Sequence, residues 1–193
     1  MNVPSAAQPA PPGPASREPR GWLRVGAVWL LTVAAAALGL RAVDAVPRAA
    51  LGLPRGVVRT TDLAELDRMS GRHMPVPAYY PDTLRWPPAE TRLHTSGSAA
   101  MWCRRRTGGE TALIVATAPP GEPEVAAAVL PPSVELQREA TTLDSRPAVV
   151  SRVRDAEGAV WQQVQWRTPA QIILIRYRGT LDGLMKMAGS VND

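Results

Sequence analysis

The chain has no phenylalanine, one cysteine, two histidines and a single lysine among its 193 residues. One cysteine excludes an intramolecular disulfide framework and any multi-cysteine zinc site. His73 and His94 stand 21 residues apart, outside metal-ligand spacings such as His-Glu-x-x-His, so both are expected at the surface. No metal or cofactor is expected. A Gly-x-Ser-x-Gly elbow is missing, and Gly179 and Gly183 lack the spacing of a phosphate loop. The carboxylate pairs Asp155/Glu157 and Glu122/Glu124 fall in predicted turns, where closeness in sequence does not make an acid/base dyad. A non-catalytic protein is therefore expected. With aromatics at 5%, Trp86, Trp102, Trp161 and Trp166 are expected to supply core bulk rather than a ligand platform.

Charge is unevenly placed. Before Thr60 stand seven arginines and two acids, Glu18 and Asp44, which account for the whole net charge of +5. From Thr60 onward fifteen basic and fifteen acidic residues cancel. A nucleic-acid-binding domain carries its basic face on the folded part, so no nucleic acid is expected as a partner. Arginines flanking an apolar run fit anionic lipid headgroups.

That run is the strongest signal in the chain. Residues 1–21 form a Pro/Ala-rich tail with six prolines before Arg20, too poor in apolar bulk to offset the entropy of ordering. Val25 to Leu40 carries no charge, and Trp22 and Leu23 extend the apolar stretch past Arg24. At ~1.5 Å per residue, residues 22–41 cover about 30 Å, one hydrocarbon core. Arg24 and Arg41 are placed to snorkel, and Trp22 suits the interface. A retained signal anchor is expected, with the N-terminus cytoplasmic and the remainder outside the cell membrane. The alternative is cleavage after Ala45. It is disfavoured by a leader of more than 20 residues before the apolar run and by the proline, Pro47, that follows the Ala45–Val46 bond. Residues 42–59 then form a stalk and residues 60–193 an extracytoplasmic domain.

Within that domain Asp62 is placed to cap a helix, with Glu65 at capping-box spacing, Leu63, Leu66 and Met69 on its apolar side, and Gly71 at its end. His73 to Pro88 is too rich in proline for helix or central strand; it is expected to strap the domain through Val76, Tyr79, Tyr80, Leu84 and Trp86. Strands are predicted at Ala99–Arg105 and Thr111–Thr117, with a hairpin at Thr107-Gly108-Gly109. Val125 to Leu130 is ambiguous. Further strands are predicted at Ala148–Arg154, Ala159–Arg167 and Gln171–Tyr177. A final helix follows Thr180, burying Leu181, Leu184, Met185, Ala188 and Val191. The fold class is α+β: an N-terminal transmembrane helix, then an antiparallel sheet with helices on one face. Its core is expected to centre on Trp161, Trp166, Ile173, Ile175, Tyr177, Leu184 and Met185.

The ending has a characteristic order: Thr141-Thr-Leu-Asp-Ser-Arg-Pro-Ala148, a turn at Gly158, strands bearing Trp161 and Trp166, a close at Tyr177-Arg178-Gly179, and the helix Leu184 to Val191. It resembles an uncharacterised bacterial extracytoplasmic domain family found after a single membrane helix, sometimes in anti-sigma-factor-like proteins. More distantly it is similar to the lipoprotein-carrier and sigma-E regulatory fold. The likeness spans roughly residues 72–192. It implies an anchored sensory, binding or accessory domain, or a lipid or lipoprotein carrier with an apolar trough. A zinc-binding anti-sigma module would need cytoplasmic His and Cys ligands, which the N-terminal tail lacks.

Two local features invite chemistry. Cys103 precedes Arg104, Arg105 and Arg106, which would lower its pKa if it were open to solvent; otherwise it is a buried strand cysteine. The three arginines form a candidate patch for an anion or acidic partner, although strand alternation would split them and Glu110 is placed to pair with one. The expected partners are the bilayer, through residues 22–41, and an unidentified envelope protein or lipid.

Overall fold

The computed structural model describes residues 29–36 and 54–191. The expected tail, most of the expected membrane span and the first part of the stalk lie outside them. Residues 29–36 form a helix, α1, whose side chains are exposed. Among the described residues no helix is long and apolar enough to cross a membrane. The second compact unit begins at Leu53.

Its elements run β1 (Val57–Thr60), α2 (Leu63–Ser70), β2 (Glu90–His94), β3 (Ala99–Arg104), β4 (Thr111–Ala118), a 3-10 turn (Ala127–Val129), β5 (Ser133–Leu143), β6 (Arg146–Asp155), β7 (Val160–Arg167), β8 (Ile172–Tyr177) and α3 (Leu181–Gly189). One antiparallel sheet carries all eight strands in the order β1-β2-β3-β4-β8-β7-β6-β5. Two runs of four sequential strands thus meet at the β4–β8 pair. Val57 to Arg59, expected in the stalk, pair with β2 as an edge strand.

Both α-helices pack on one face. Leu66 of α2 and Leu184, Met187 and Ala188 of α3 join Met101, Leu113, Val115, Trp166, Ile173 and Ile175 in a single cluster. The α+β architecture, with an antiparallel sheet and helices on one face, is thus present in the folded unit. On the opposite face Val125, Val129 and Leu130, around the 3-10 turn, cover Ile114, Ile172 and Leu174. Trp161 belongs here, not to the sheet–helix core, because it stands an odd number of residues from Val164 and Trp166 and alternation turns it over.

The caps explain the helix limits. Asp62 accepts a hydrogen bond from Ala64 N at 2.9 Å, and Gly71 closes α2 at φ 66°. Glu65 does not complete the capping box; its carboxylate takes the Thr60 hydroxyl instead. Thr180 caps α3 through Gly183 N at 3.2 Å. The buried stripe of α3 is Leu184, Met187 and Ala188, with Val191 just beyond it, while Leu181 is exposed and Met185 only half-buried. Met187 thus takes the inward place expected of Leu181 and Met185, where α3 packs against β7 and β8. On α2, Met69 is likewise exposed and Leu66 is fully buried.

The Pro-rich segment straps the helix-covered face. Ala78 N bonds Ser190 O at 3.1 Å, and Arg85 N, Arg106 N and Ala89 N bond Arg104 O, Thr83 O and Trp102 O at 2.8–2.9 Å. Met74 and Leu84 are its buried anchors, with Val76 and Tyr80 packed beside them. Tyr79 and Trp86 are exposed instead.

Candidate functional site

Each residue type that could carry chemistry has a definite place. Cys103 is buried, with the Tyr80 hydroxyl beside it. Desolvation pushes its thiol up to about 11, despite the neighbouring arginines. β3 alternates, so Cys103 turns inward and Arg104 outward, and the arginine charge does not reach the sulfur through a low-dielectric path. Of the two readings, the structure carries the buried strand cysteine. The same burial pushes the Tyr80 phenol far up. His73 Nδ1 lies 2.6 Å from Asp67 Oδ2, and His94 Nδ1 lies 3.0 Å from the Ser96 hydroxyl. Among the described residues no group of three or more His, Cys, Asp or Glu side chains is placed to hold a metal.

Arg104, Arg105 and Arg106 separate. Arg105 turns to the sheet, donating to Arg178 O at 2.7 Å and pairing with Glu110 at 3.2 Å. Arg104 and Arg106 stay exposed, Arg106 held by one bond from Nε to Leu84 O at 3.0 Å. The strap brings a third guanidinium to them, that of Arg85, whose backbone bonds to Arg104. Arg85, Trp86 and Arg106 line a hollow of about 370 Å³; Arg85, Arg104 and the Pro87–Ala89 turn line an adjoining one of about 230 Å³. Trp86, 46% exposed, stands on its edge against the Tyr80 ring at 5.6 Å. Among the described residues no carboxylate pairs with Arg85, Arg104 or Arg106. Arg85 thus shares one hollow with Trp86 and Arg106 and another with Arg104. Sequence separation hid Arg85 and Trp86 from the expected patch; the only available signal was that a proline strap must lie along a strand edge.

A second, wider cleft opens on the face without helices. It has a volume of about 430 Å³ and is lined by Arg92, Trp102, Asp155, Glu157, Trp161 and Arg178, with Pro131 and Pro132 as its rim. Arg92 lies over the Trp102 ring at 3.8 Å, and Arg178 over Trp161 at 5.5 Å. The two stacks are three strand spacings apart, about 14 Å. Most of this apparatus is internally satisfied. Arg92 bonds Glu90 at 2.7 Å, and Glu90 also pairs with Arg59 at 2.9 Å. Asp155 accepts from Trp161 Nε1 at 2.8 Å and Ala159 N at 2.7 Å. Arg176 lies buried beneath, bonded to Gln163 and Pro131 O; desolvation lowers its pKa to about 10, with Asp155 opposing. Two cations and two anions line the cleft, so it carries no net charge. The turn carboxylates therefore have unequal roles: Asp155 ties the β6–β7 turn, while Glu157 is exposed.

Comparison with protein-family models, with curated proteins and with solved structures yields no match. The site is accordingly read from its own chemistry. Of the four tryptophans expected as core, Trp161 and Trp166 are buried, Trp102 is half-buried and Trp86 is exposed.

Proposed function

We propose that this chain is a non-catalytic extracytoplasmic binding domain, held in the cell membrane by residues 22–41 with its N-terminus in the cytoplasm, and that Arg85, Arg104 and Arg106 with Trp86 form its contact with an anionic group of an envelope protein or lipid. One observation carries this reading: Arg85, Arg104 and Arg106 are all exposed, line two hollows that share Arg85, and have no carboxylate partner among the described residues. Clustered like charges repel one another, and planar guanidinium forks bind carboxylate or phosphate in bidentate fashion. The open indole adds apolar contact at the centre of the patch, the usual composition of an interface hot spot. A carrier with an apolar trough finds less support. The helix-covered face is filled by side chains such as Met101, Leu113, Trp166 and Ile173, and the wide cleft opposite is lined largely by charged and polar groups.

The test is a photo-crosslinking residue in place of Trp86 in the full-length chain in intact cells, with and without Arg85, Arg104 and Arg106 changed to Gln. The expected result is one dominant adduct that the triple substitution abolishes. An adduct pattern indifferent to the arginines rejects the patch as the binding surface. Alkaline washing of membranes tests the anchor separately: release at a mass lacking about 45 residues would favour cleavage after Ala45.

A further inference from the structure

The two edges of the sheet are unequal. β1 closes one edge with four residues, whereas β5 closes the other with eleven, the longest strand of the sheet. β5 pairs with β6 alone, so among the described residues its outer backbone groups have no strand partner. Every residue from Ser133 to Ala140 is exposed, among them Val134 at 69% and Leu136 at 44%. Sheets guard such edges with prolines, charged side chains, bulges or short strands; β5 is long and contains no proline, and it carries Glu135, Arg138, Glu139 and one bulge.

β5 has one irregularity. The register with β6 shifts between Glu135 and Gln137, which makes Leu136 the extra residue of a bulge. Without the bulge, residues 135 and 138 would lie on opposite faces. With it, Glu135 sits opposite Val153 and Arg138 opposite Ser151, both on the face without helices, and the two side chains approach to 3.8 Å. Acid and base therefore stand on one face of an open edge, either side of the bulge.

We propose that β5 pairs antiparallel with β5 of a second copy of this chain, about a two-fold axis perpendicular to the sheet between Leu136 and Gln137. That axis sets Glu135 opposite Arg138 of the second copy and Arg138 opposite its Glu135, giving two cross-strand ion pairs on the same face. Val134 meets the aliphatic part of Glu139, and Ser133 meets Ala140. The bulge selects the occupant: a straight strand from another protein meets a step at Leu136, while a second copy brings its own step, related by the axis. One register satisfies charge, face and step together, and the joined sheets form one of sixteen strands. This surface is remote from the arginine patch, which lies five strands away, and stands independently of it.

The experiment uses the full-length chain in detergent micelles, read by sedimentation velocity over a concentration series. A dimer is expected for the natural sequence. Arg138→Glu alone and Glu135→Arg alone each oppose like charges twice per dimer and weaken association about tenfold. The double variant E135R/R138E rebuilds both pairs and returns the dimer to its original strength. All four side-chain changes are at exposed positions, and continued protection of the buried Cys103 thiol verifies the fold. A natural chain that stays monomeric, a dimer that neither single variant weakens, or a double variant as weak as the singles each overturns the proposal.

Discussion

Cys103 decides how the folded unit answers alkali. Its thiol ionises near 11 in the fold and at 9.0 in an open chain. Between those values the unfolded chain has released the proton and the folded chain has not, so stability falls as pH rises from 9; below 9 both states hold the proton and the residue adds no slope. Above about 10 the Tyr80 phenol, raised by the same burial, adds to the loss, while Arg176 opposes it because the folded guanidinium gives up its proton before the unfolded one. The clean window is thus pH 9 to 10, and replacing Cys103 by Ala should flatten the loss there in urea melts. The same shift leaves thiolate about 100-fold scarcer than in an open chain at pH 8. Alkylation by iodoacetamide should be slower by at least that factor in the folded protein and become fast on denaturation. Glu90 is the opposite kind of residue, a nearly buried carboxylate shared by Arg59 and Arg92. Glu90→Gln leaves two cations short of a partner, and thermal melting should report a loss of about 1–3 kcal/mol.

The β8–α3 junction leaves no room for a side chain at Gly179. Gly179 lies under the ring of Tyr177, and a Cβ added there would overlap the ring atoms. Gly179→Ala should cost about 1–3 kcal/mol in denaturant melts, as the ring is forced off the start of α3; the companion Tyr177→Leu/Gly179→Ala should recover part of it. This junction was readable as sequence, as were β3, β4, β6, β7, β8 and the caps Asp62, Gly71 and Thr180. Alternation or β-branched runs bounded by turn residues marked those strands, and capping chemistry is local. β2 and β5 were not legible. β2 is five residues, Glu-Thr-Arg-Leu-His, whose inward polar groups are satisfied by partners remote in sequence. β5 shows no alternation because both of its faces are exposed over most of its length. The same limit applies to the site: Arg104 and Arg106 were visible as a run, but Arg85 and Trp86 reach them only through a strap whose path tertiary packing sets.

At the scale of the molecule, the sheet is two halves that meet at β4 and β8. Ala112 to Thr117 of β4 are fully or almost fully buried, as are Ile172 to Ile175 of β8. Neither strand is suited to an edge, and each needs the other to satisfy its backbone and cover both faces. A chain ending before Ile172 should therefore lose the cooperative unfolding transition altogether, by calorimetry, rather than retain a stable first half. The strap reinforces this closure, since Pro77 bridges Val191 and Ser190 holds Ala78 and Tyr79.

β8 follows every other described strand in the chain, yet it fills the middle of the sheet. During synthesis the first four strands emerge long before their central neighbour, leaving the greasy flank of β4 bare in the nascent polypeptide. The interval before β8 arrives is when this protein has most need of a chaperone.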